Sequence, residues 1–294
     1  MDAGEVVVAH SLRGAIHALA PGDVALYGRG LLATDDDELG HQLGRQVQRI
    51  TETPGAALDE VAAATREALA NGPLDKTALH AALREGVRPE LMPWCRGCGS
   101  HHVAPMLWRY ATVKAGVRLD ARRRYRRARP KRAPAAAEAV RRFLRFYGPS
   151  TPGDFADWAG LAKPHARRLW EDVEPELVET DSGWLLEEDL DELDAPPDAE
   201  GVRLIPPGDP YLQKPNRPLL APGADLRKRL FRPVASPGAV LKDGRLAGLW
   251  RAKAKGRRLE VAVEKLGRLA RADVEEEARR VAALRGSEPV LVVG

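Results

Sequence analysis

The segment WCRGCGSHH at residues 94–102 concentrates the side chains best suited to chemistry. Cys95 and Cys98 have the Cys-x-x-Cys spacing of a zinc knuckle, and His101 or His102 could add a third ligand. A closed structural zinc site needs a fourth ligand, and the chain contains no other cysteine. A redox dithiol and a reduced loop without metal are the alternatives. We expect no obligatory cofactor, and we retain Cys95, Cys98 and His101 as candidate zinc ligands.

Basic side chains form a second chemical pattern, because they could bind phosphate groups. Residues 114–132 contain ten lysines and arginines and one acid, whereas residues 181–200 contain nine acids and no base. The formal net charge is only +4, so the charges are sorted along the chain. One strongly positive stripe is the electrostatic footprint expected for a nucleic-acid backbone. A solvated, arginine-rich linker is the alternative.

A repeated phrase indicates the elements that would position these side chains. NGPLDKTALHAAL at residues 71–83 returns in looser form as YGPSTPGDFADWAGL at residues 147–161. Each copy follows a helical stretch that ends at Gly-Pro, and a polar cap then precedes a short second helix. A helix-turn-helix unit that is used at least twice points toward nucleic acid.

The residues that flank each copy extend it toward a winged helix. In the first copy, the predicted elements are helices at 57–70 and 76–83 and a hairpin near 116–119. In the second copy, they are helices at 135–146, 152–159 and 165–173 and a hairpin at 177–186. The last of these helices carries Arg167 and Arg168. In a winged helix, this third helix is the one expected to enter a groove.

From residue 201 onward the pattern changes to strands. Asp243-Gly244 is a strong hairpin signal between two apolar runs, and residues 253–258 form a basic turn before a third antiparallel strand. An amphipathic helix at 271–285 precedes a last strand. The fold class is therefore α+β: tandem winged-helix units, each a helix-turn-helix plus a β-hairpin wing, followed by a C-terminal α+β domain with an antiparallel sheet.

Length and composition limit the class of protein. At 294 residues and 32.1 kDa, the chain can form two or three small domains with their own cores. No segment approaches the roughly 20 apolar residues that span a bilayer, so we expect no membrane partner. The first residues, MDAGEVVVAH, show no secretory signal, and the two cysteines are only three positions apart. We therefore expect a cytoplasmic protein without disulfides.

Five ordered segments carry a resemblance to a known family. They are SLRGAIHAL at 11–19, ANGPLDKTAL at 70–79, RFYGPSTPGDFADWAGL at 145–161, VRLIPPGDPYL at 202–212 and RKRLFRPVASPGAVLKDGRLAGLWR at 227–251. From about residue 5 to its end, the chain resembles the AlkZ/YcaQ-like family of tandem winged-helix DNA glycosylases. The last two segments are the most specific.

The resemblance implies winged helices arranged around duplex DNA and removal of an alkylated base. It divides the chain into a remnant of a first winged helix with a linking helix at 1–50, a second winged helix at 51–130, a third with an acidic linker at 131–200, and a C-terminal α+β domain at 201–294. The family's catalytic Gln-x-Gln or Gln-x-Asp motif lies upstream of SLRGAIHAL, where this chain has no segment. Gln46-Val47-Gln48 has the right letters on a predicted helix downstream, and we interpret it as a coincidence. The catalytic residues are therefore unassigned.

The expected contacts with DNA are mostly to phosphates. The candidate DNA-binding residues are Arg13, His17, Arg122, Arg123, Arg124, Arg126, Arg127, Lys163, Arg167, Arg168, Lys253, Lys255, Arg257 and Arg258. For His17, a purely structural role is the alternative. Asp209, in the segment IPPGD, could orient Arg217 at a cleft or simply cap a turn.

Three functional hypotheses follow. The first is a protein that binds duplex DNA, plain or alkylated, without the Gln-x-Gln segment; we expect a monomer associated with the nucleoid. The second is an active monofunctional glycosylase that excises alkylated bases. The third is a transcription regulator with a ligand-sensing C-terminal domain.

Overall fold

A computed structural model describes residues 6–129, 132–212, 216–232 and 234–294. The chain divides into two compact units, residues 1–188 and residues 189–294. The division falls inside the acidic stretch that we expected to be a linker. Both units combine helices with β-sheet, so the α+β class is confirmed.

The first unit begins with a β-hairpin and continues mainly as helices. Its helices are α1 (Asp23–Leu26), α2 (Asp36–Leu43), α3 (Arg45–Gln48), α4 (Pro54–Ala68), α5 (Lys76–Gly86), α6 (Pro105–Lys114), α7 (Ala137–Tyr147), α8 (Pro152–Ala159) and α9 (Lys163–Glu171). Its strands are β1 (Val7–His10), β2 (Ile16–Leu19), β3 (Trp94–Cys95), β4 (Ser100–His101), β5 (Val117–Leu119), β6 (Tyr125–Arg127), β7 (Leu177–Thr180) and β8 (Gly183–Leu186).

The first repeated module runs from α4 to β6. Pro54 begins α4, at a first-turn position where its missing N–H is harmless. After the Gly-Pro that follows α4, Leu74 exchanges two backbone hydrogen bonds with Tyr125 of β6, with N to O distances of 3.0 and 2.7 Å. Asp75 caps α5 by accepting a hydrogen bond from the N–H of Ala78 at 2.8 Å, as its sequence position predicts.

The second module runs from α7 to β8 and repeats this order. Ser150 follows the second Gly-Pro and exchanges two backbone hydrogen bonds of 2.8 Å with Trp184 of β8. Thr151 caps α8 by accepting from the N–H of Asp154 at 3.2 Å. Gly160 ends α8 at a φ of +72°, the left-handed conformation that favours glycine. In both modules the residue after Gly-Pro therefore pairs with the second strand of the hairpin.

The N-terminal hairpin joins the sheet of the first module. The order of the four-stranded sheet is β2-β1-β5-β6, and Val8 of β1 pairs with Leu119 of β5. All pairs in this sheet are antiparallel. Residues 1–50 and 51–130, which we expected to be separate domains, thus contribute strands to one sheet.

Each module has its own apolar core. Leu39 and Leu43 of α2 pack into the core of the first module. Leu26 and Leu31 pack instead with α7, α8 and α9 in the core of the second module. The segment between the N-terminal hairpin and α4 therefore contributes buried side chains to both modules.

The second unit consists of one β-sheet and four α-helices within its described residues. The helices are α10 (Leu190–Asp194), α11 (Arg217–Leu220), α12 (Ala224–Leu230) and α13 (Arg271–Leu284). The strands are β9 (Val202–Ile205), β10 (Gly238–Lys242), β11 (Arg245–Lys255), β12 (Arg258–Lys265) and β13 (Glu288–Val293).

The sheet of this unit is mixed rather than antiparallel. Its order is β13-β12-β11-β10-β9, and the first three connections along the chain are antiparallel. β13, however, pairs with β12 in parallel. The prediction of an antiparallel sheet was wrong at this edge. Along the chain, α13 connects β12 to β13 and provides the crossover that parallel pairing requires. α13 buries Val274 and Ala278 in the core of the unit.

No helix in the described part of the chain is both long and apolar enough to cross a membrane.

Candidate nucleic-acid interface

The turn between β5 and β6 is organised by the carboxylate of Asp120. It accepts hydrogen bonds from the backbone N–H groups of Arg122 and Arg124, and from Nε of Arg124, each at 2.9 Å. The hydrogen bond from the Arg124 backbone is the main reason that the pKa of Asp120 is below its ordinary value. Asp120 therefore fixes the turn and occupies the guanidinium of Arg124.

Four other arginines on this hairpin have exposed side chains. They are Arg122, Arg123, Arg126 and Arg127. Within the described residues, none of these four forms an ion pair with a carboxylate, in contrast to Arg124. Their positive charge is therefore available to an anion from solvent, and a phosphate backbone is the anion that such a cluster fits.

Buried aromatic side chains hold the hairpin in place. Tyr125 of β6 is 5% exposed, and its ring centre lies 5.4 Å from that of Trp108 on α6 and 6.2 Å from that of His10 on β1. Because alternate residues of a strand point to opposite faces, Arg126 next to Tyr125 faces solvent. The aromatic cluster thus fixes the direction in which Arg126 projects.

His10 is a buried member of this cluster. Its Nδ1 lies 2.7 Å from the hydroxyl of Thr112. Burial, followed by the positive charges of Arg109 and Lys76, lowers the pKa of His10 to about 4. His10 is therefore neutral at pH 7 and acts as a packed hydrogen-bonding group.

Arg13 and His17 lie close to each other beside the N-terminal hairpin. Arg13 has a φ of +56°, an uncommon conformation for a residue other than glycine. Its side chain runs along Gly160, where an added Cβ would lie 2.6 Å from Cγ of Arg13. Nδ1 of His17 lies 2.8 Å from the hydroxyl of Ser11, and burial lowers the pKa of His17. Arg13 thus borders the end of α8 in the second module, and His17 lies near Arg13 in the same N-terminal hairpin.

Arg109 is a basic residue near the turn of the N-terminal hairpin that no sequence pattern indicated. It projects from α6, and its side chain borders Gly14, the residue after Arg13. Its guanidinium donates to the sulfur of Met106 at 3.9 Å. A charged residue on an otherwise largely apolar helix is the signal that could have identified it.

The basic residues of α9 differ in their partners. Nε of Arg167 donates to Glu171 at 3.0 Å, and Arg168 donates to Glu38 of α2 at 2.5 Å. Lys163, at the start of α9, is exposed and has no ion pair within the described residues. Of the three predicted contacts on this helix, only Lys163 presents a charge that no carboxylate of the described chain neutralises.

The second unit has its own basic turn, between β11 and β12. Lys255 forms an ion pair with Glu260 at 2.5 Å, diagonally across the hairpin, because the residue directly opposite Glu260 is Lys253. Lys253, Arg257 and Arg258 are exposed and have no ion pair among the described residues. This turn therefore resembles the β5–β6 turn, with one paired cation and several unpaired ones.

Asp209 and Arg217 line a common pocket of about 190 Å³ in the second unit. Asp209 caps a turn by accepting from the N–H of Tyr211 at 2.9 Å. Arg217 instead lies over the ring of Phe231, 4.4 Å from its centre. Within the described residues they form no ion pair with each other, so the geometry favours the turn-capping alternative for Asp209.

A second pocket of the same unit, about 550 Å³ in volume, lies against β11 and β12. Its apolar wall includes Leu249 and Trp250, and cationic side chains such as Lys228, Arg232 and Arg251 border it. Nothing in the sequence patterns pointed to this pocket, because its lining comes from segments distant along the chain.

The segment with the two cysteines forms a small hairpin, β3–β4. The ligand atoms of Cys95, Cys98 and His102 lie within 4.8 Å of one another. His101, the histidine that we had retained, is turned away, and its Nδ1 lies 2.9 Å from the carbonyl of Met92. The hydrogen bond with His102 is the largest of the effects that lower the pKa of the Cys95 thiol to about 7, whereas the adjacent Cys95 raises the pKa of Cys98.

Gln46 and Gln48 lie on the short helix α3, in line with the predicted helix. Both are exposed, and Val47 between them is buried. The side chain of Gln48 borders Gly40 of α2.

Three comparisons relate the chain to known proteins. A profile of the family described as "DNA glycosylase AlkZ-like" matches residues 1–284. A Streptomyces sahachiroi protein named "Interstrand DNA cross-link repair glycosylase" is 29% identical over an alignment of 264 residues, and the match covers 82% of this chain and 68% of that protein. The solved structure of Streptomyces sahachiroi DNA glycosylase AlkZ has a TM-score of 0.75 at 21% identity and covers 99% of this chain and 82% of that one. At that identity the structural similarity concerns the fold.

Proposed function

Because this chain belongs to the DNA glycosylase AlkZ-like family, we propose that it binds duplex DNA through two winged-helix modules, α4 to β6 and α7 to β8. It acts as a monomer associated with the nucleoid, and alkylated duplex is among its ligands. Shape and backbone charge, rather than base sequence, govern this binding.

The order of elements in both modules supports the winged-helix interpretation. Each module has a helix, a residue after Gly-Pro that pairs with the hairpin, two further helices and a two-stranded hairpin. The modules would use different surfaces, however. α6 is largely buried, including Leu107, Trp108 and Ala111, so the first module would contact DNA through its exposed, arginine-rich hairpin rather than through α6. α9 exposes Lys163 and Arg167 and is the surface that the second module offers to a groove.

The observation that carries the proposal is the β5–β6 turn. Arg122, Arg123, Arg126 and Arg127 are exposed and lack carboxylate partners among the described residues, while Asp120 and Tyr125 hold the turn in one conformation. A fixed cluster of guanidinium groups binds phosphates with little loss of backbone entropy. A flexible, solvated linker would have neither the Asp120 network nor the aromatic anchor.

The remaining predicted residues fit secondary roles. Lys253, Arg257 and Arg258 supply phosphate contacts from the second unit, and Arg13 and His17 supply contacts near the second module. Arg124, Arg167, Arg168 and Lys255 contribute only if DNA displaces the carboxylates that they now contact. Asp209 and Arg217 shape a pocket and do not contact the phosphate backbone of the DNA.

A double substitution on β6 tests this proposal. In Arg126→Ala/Arg127→Ala, the dependence of log Kd on log salt concentration should become shallower by about two units, because each lost phosphate contact removes about one. Fluorescence anisotropy with a labelled duplex measures both the affinity and this slope. The control Arg268→Ala/Arg279→Ala removes the same charge from exposed positions of the second unit and should leave the slope near the wild-type value. Equal slopes for all three proteins would refute the assignment.

Family membership also favours a second candidate function, hydrolysis of the N-glycosidic bond of an alkylated base. The relative from Streptomyces sahachiroi is named a cross-link repair glycosylase. Such a reaction needs polar groups that position a water and stabilise positive charge on the sugar. Incubation of the protein with an N7-alkylguanine duplex, followed by detection of abasic sites, tests this candidate. Activity that survives Gln46→Ala/Gln48→Ala would place the chemistry on other residues. Loss of activity in this variant would overturn our interpretation of Gln46-Val47-Gln48 as a coincidence.

A further inference from the structure

The three side chains that converge at the β3–β4 hairpin form an N/S donor set. Two thiols and one imidazole lie within 4.8 Å of one another. In tetrahedral zinc sites the donor atoms are roughly 3.5 to 3.8 Å apart, given Zn–S near ~2.3 Å and Zn–N near ~2.0 Å. A contraction of about 1 Å reaches that geometry, and Cys98 is exposed and can rotate to close the distance.

The backbone between the two cysteines forms a tight turn that brings them close together. Cys98 and Gly99 donate backbone hydrogen bonds to the carbonyl of Cys95 at 3.3 and 2.9 Å. Gly99 has a φ of +60°, which returns the chain into β4 opposite Cys95. This tight turn places both sulfur atoms on the same side of the hairpin, and it depends on glycine at that position.

The hydrogen bonds of the two neighbouring histidines distinguish a ligand from a bystander. Nδ1 of His102 lies 2.8 Å from the carbonyl of Val103, so this nitrogen carries the proton and Nε2 keeps its lone pair. Histidines that bind a metal commonly donate their other N–H to a carbonyl in this way. His101 faces the ring of Trp94 at 5.2 Å and contacts Met92 instead, on the other side of the hairpin.

His80 on α5 borders the same site. Its ring centre is 5.6 Å from that of His102 and 4.5 Å from that of Trp108. Its Nδ1 is buried and has no hydrogen-bond partner within the described residues. Buried polar atoms are normally paired, and a ligand bound next to His102 would provide a partner.

We propose that Cys95, Cys98 and His102 bind one Zn²⁺ ion, with solvent in the fourth position beside His80. Binding breaks two S–H bonds, releases both protons to solvent and forms two Zn–S bonds and one Zn–N bond, without electron transfer. Val103 and Ala104, which follow His102, are buried in the core of the first module directly before α6. The ion therefore anchors the long connection between α5 and α6, and this role is independent of the proposed DNA binding.

The metal content of the full-length protein tests the proposal. Protein purified under reducing conditions without chelator should contain about one zinc ion per chain by elemental mass spectrometry. Cys95→Ser, Cys98→Ser and His102→Ala should each lose the ion, whereas the matched control His101→Ala should keep it. Substitution of the wild-type protein with Co²⁺ should produce a thiolate charge-transfer band that Cys95→Ser abolishes.

A second measurement does not depend on the folding of the variants. Wild-type protein stripped by a chelator should melt at a lower temperature and regain its melting temperature with Zn²⁺ but not with Mg²⁺. Wild-type protein that takes up neither Zn²⁺ nor Co²⁺, or that has its two cysteines joined as a reversible disulfide in place of metal, would overturn the site. Loss of zinc in His101→Ala with retention in His102→Ala would overturn the ligand assignment.

Discussion

At the scale of single residues, the neighbours of each cation decide whether it can bind DNA. Arg124 and Arg168 have the same side chain as Arg126, but the carboxylates of Asp120 and Glu38 already neutralise their charges. Exposed ion pairs of this kind contribute only about 0 to 1 kcal/mol to folding. On the proposed function, a phosphate would have to compete with a carboxylate for these two arginines but would meet no such competition at Arg126.

The buried side chain of His10 makes the stability of the folded protein depend on pH. Burial lowers its pKa from 6.5 to about 4 in the folded protein. The unfolded chain therefore binds more protons between these two values, and the contribution of neutral His10 is complete above pH 6.5 and is lost as the pH falls toward 4. Between pH 7 and pH 5 the loss amounts to about 2 kcal/mol, since one pKa unit corresponds to ~1.4 kcal/mol.

Urea unfolding of His10→Gln at pH 7 and pH 5 measures this contribution. The variant should lose less unfolding free energy than the wild type over that interval, although it is less stable at pH 7 because its contact with Thr112 is weaker. His41→Gln removes an exposed histidine and serves as the control. An identical pH dependence in His10→Gln and in the wild type would contradict the buried, neutral state of His10.

At the scale of elements, the residue after each Gly-Pro fastens a hairpin to its helices. Ser150 pairs with Trp184, and Leu74 pairs with Tyr125, in the same position of the two modules. The hairpin β7–β8 depends in addition on Gly183, which has a φ of +127°. A Cβ at Gly183 would lie 2.6 Å from the carbonyl oxygen of Ser150, which is rigid backbone.

Gly183→Ala should therefore destabilise the second module by about 2 kcal/mol or more, through backbone strain and loss of the pairing with Ser150. Thermal or urea unfolding measures the effect. Gly153→Ala, in the first turn of α8, is the matched control, since its nearest contact would be at 3.6 Å and alanine favours a helix by about 1 kcal/mol. Equal stability of the two variants would argue against the pairing.

The local elements could be predicted from the sequence, but several long-range pairings could not. Gly-Pro marked the helix ends, and Asp75 and the pair Ser150 or Thr151 were the predicted caps; the structure shows Asp75 and Thr151 in that role, because such signals act within a few residues. The pairing of β1 with β5 and of β13 with β12 joins distant segments, and alternation within a strand does not specify its partner. The choice of His102 over His101 was open for a similar reason, because it depends on which side of a short hairpin each ring occupies.

At the scale of the whole molecule, each unit presents one basic turn on an antiparallel hairpin. The first unit has the β5–β6 turn, and the second has the β11–β12 turn with Lys253, Arg257 and Arg258. The acids of the chain concentrate elsewhere, with nine in residues 181–200. A net charge of +4 thus conceals two local positive surfaces, and these give the protein its expected affinity for polyanions.

The most direct test of the central claim is a competition measurement with the wild-type protein. Binding of a labelled duplex is followed by anisotropy over a range of salt concentrations, with unlabelled duplex or polyglutamate as competitor. We expect plain and alkylated duplex to compete far better than polyglutamate, because guanidinium groups pair well with phosphates and because the release of condensed counterions favours the duplex. Log Kd should then rise linearly with log salt concentration. Equal competition by polyglutamate, together with an affinity that does not change with salt, would contradict the proposed DNA-binding function.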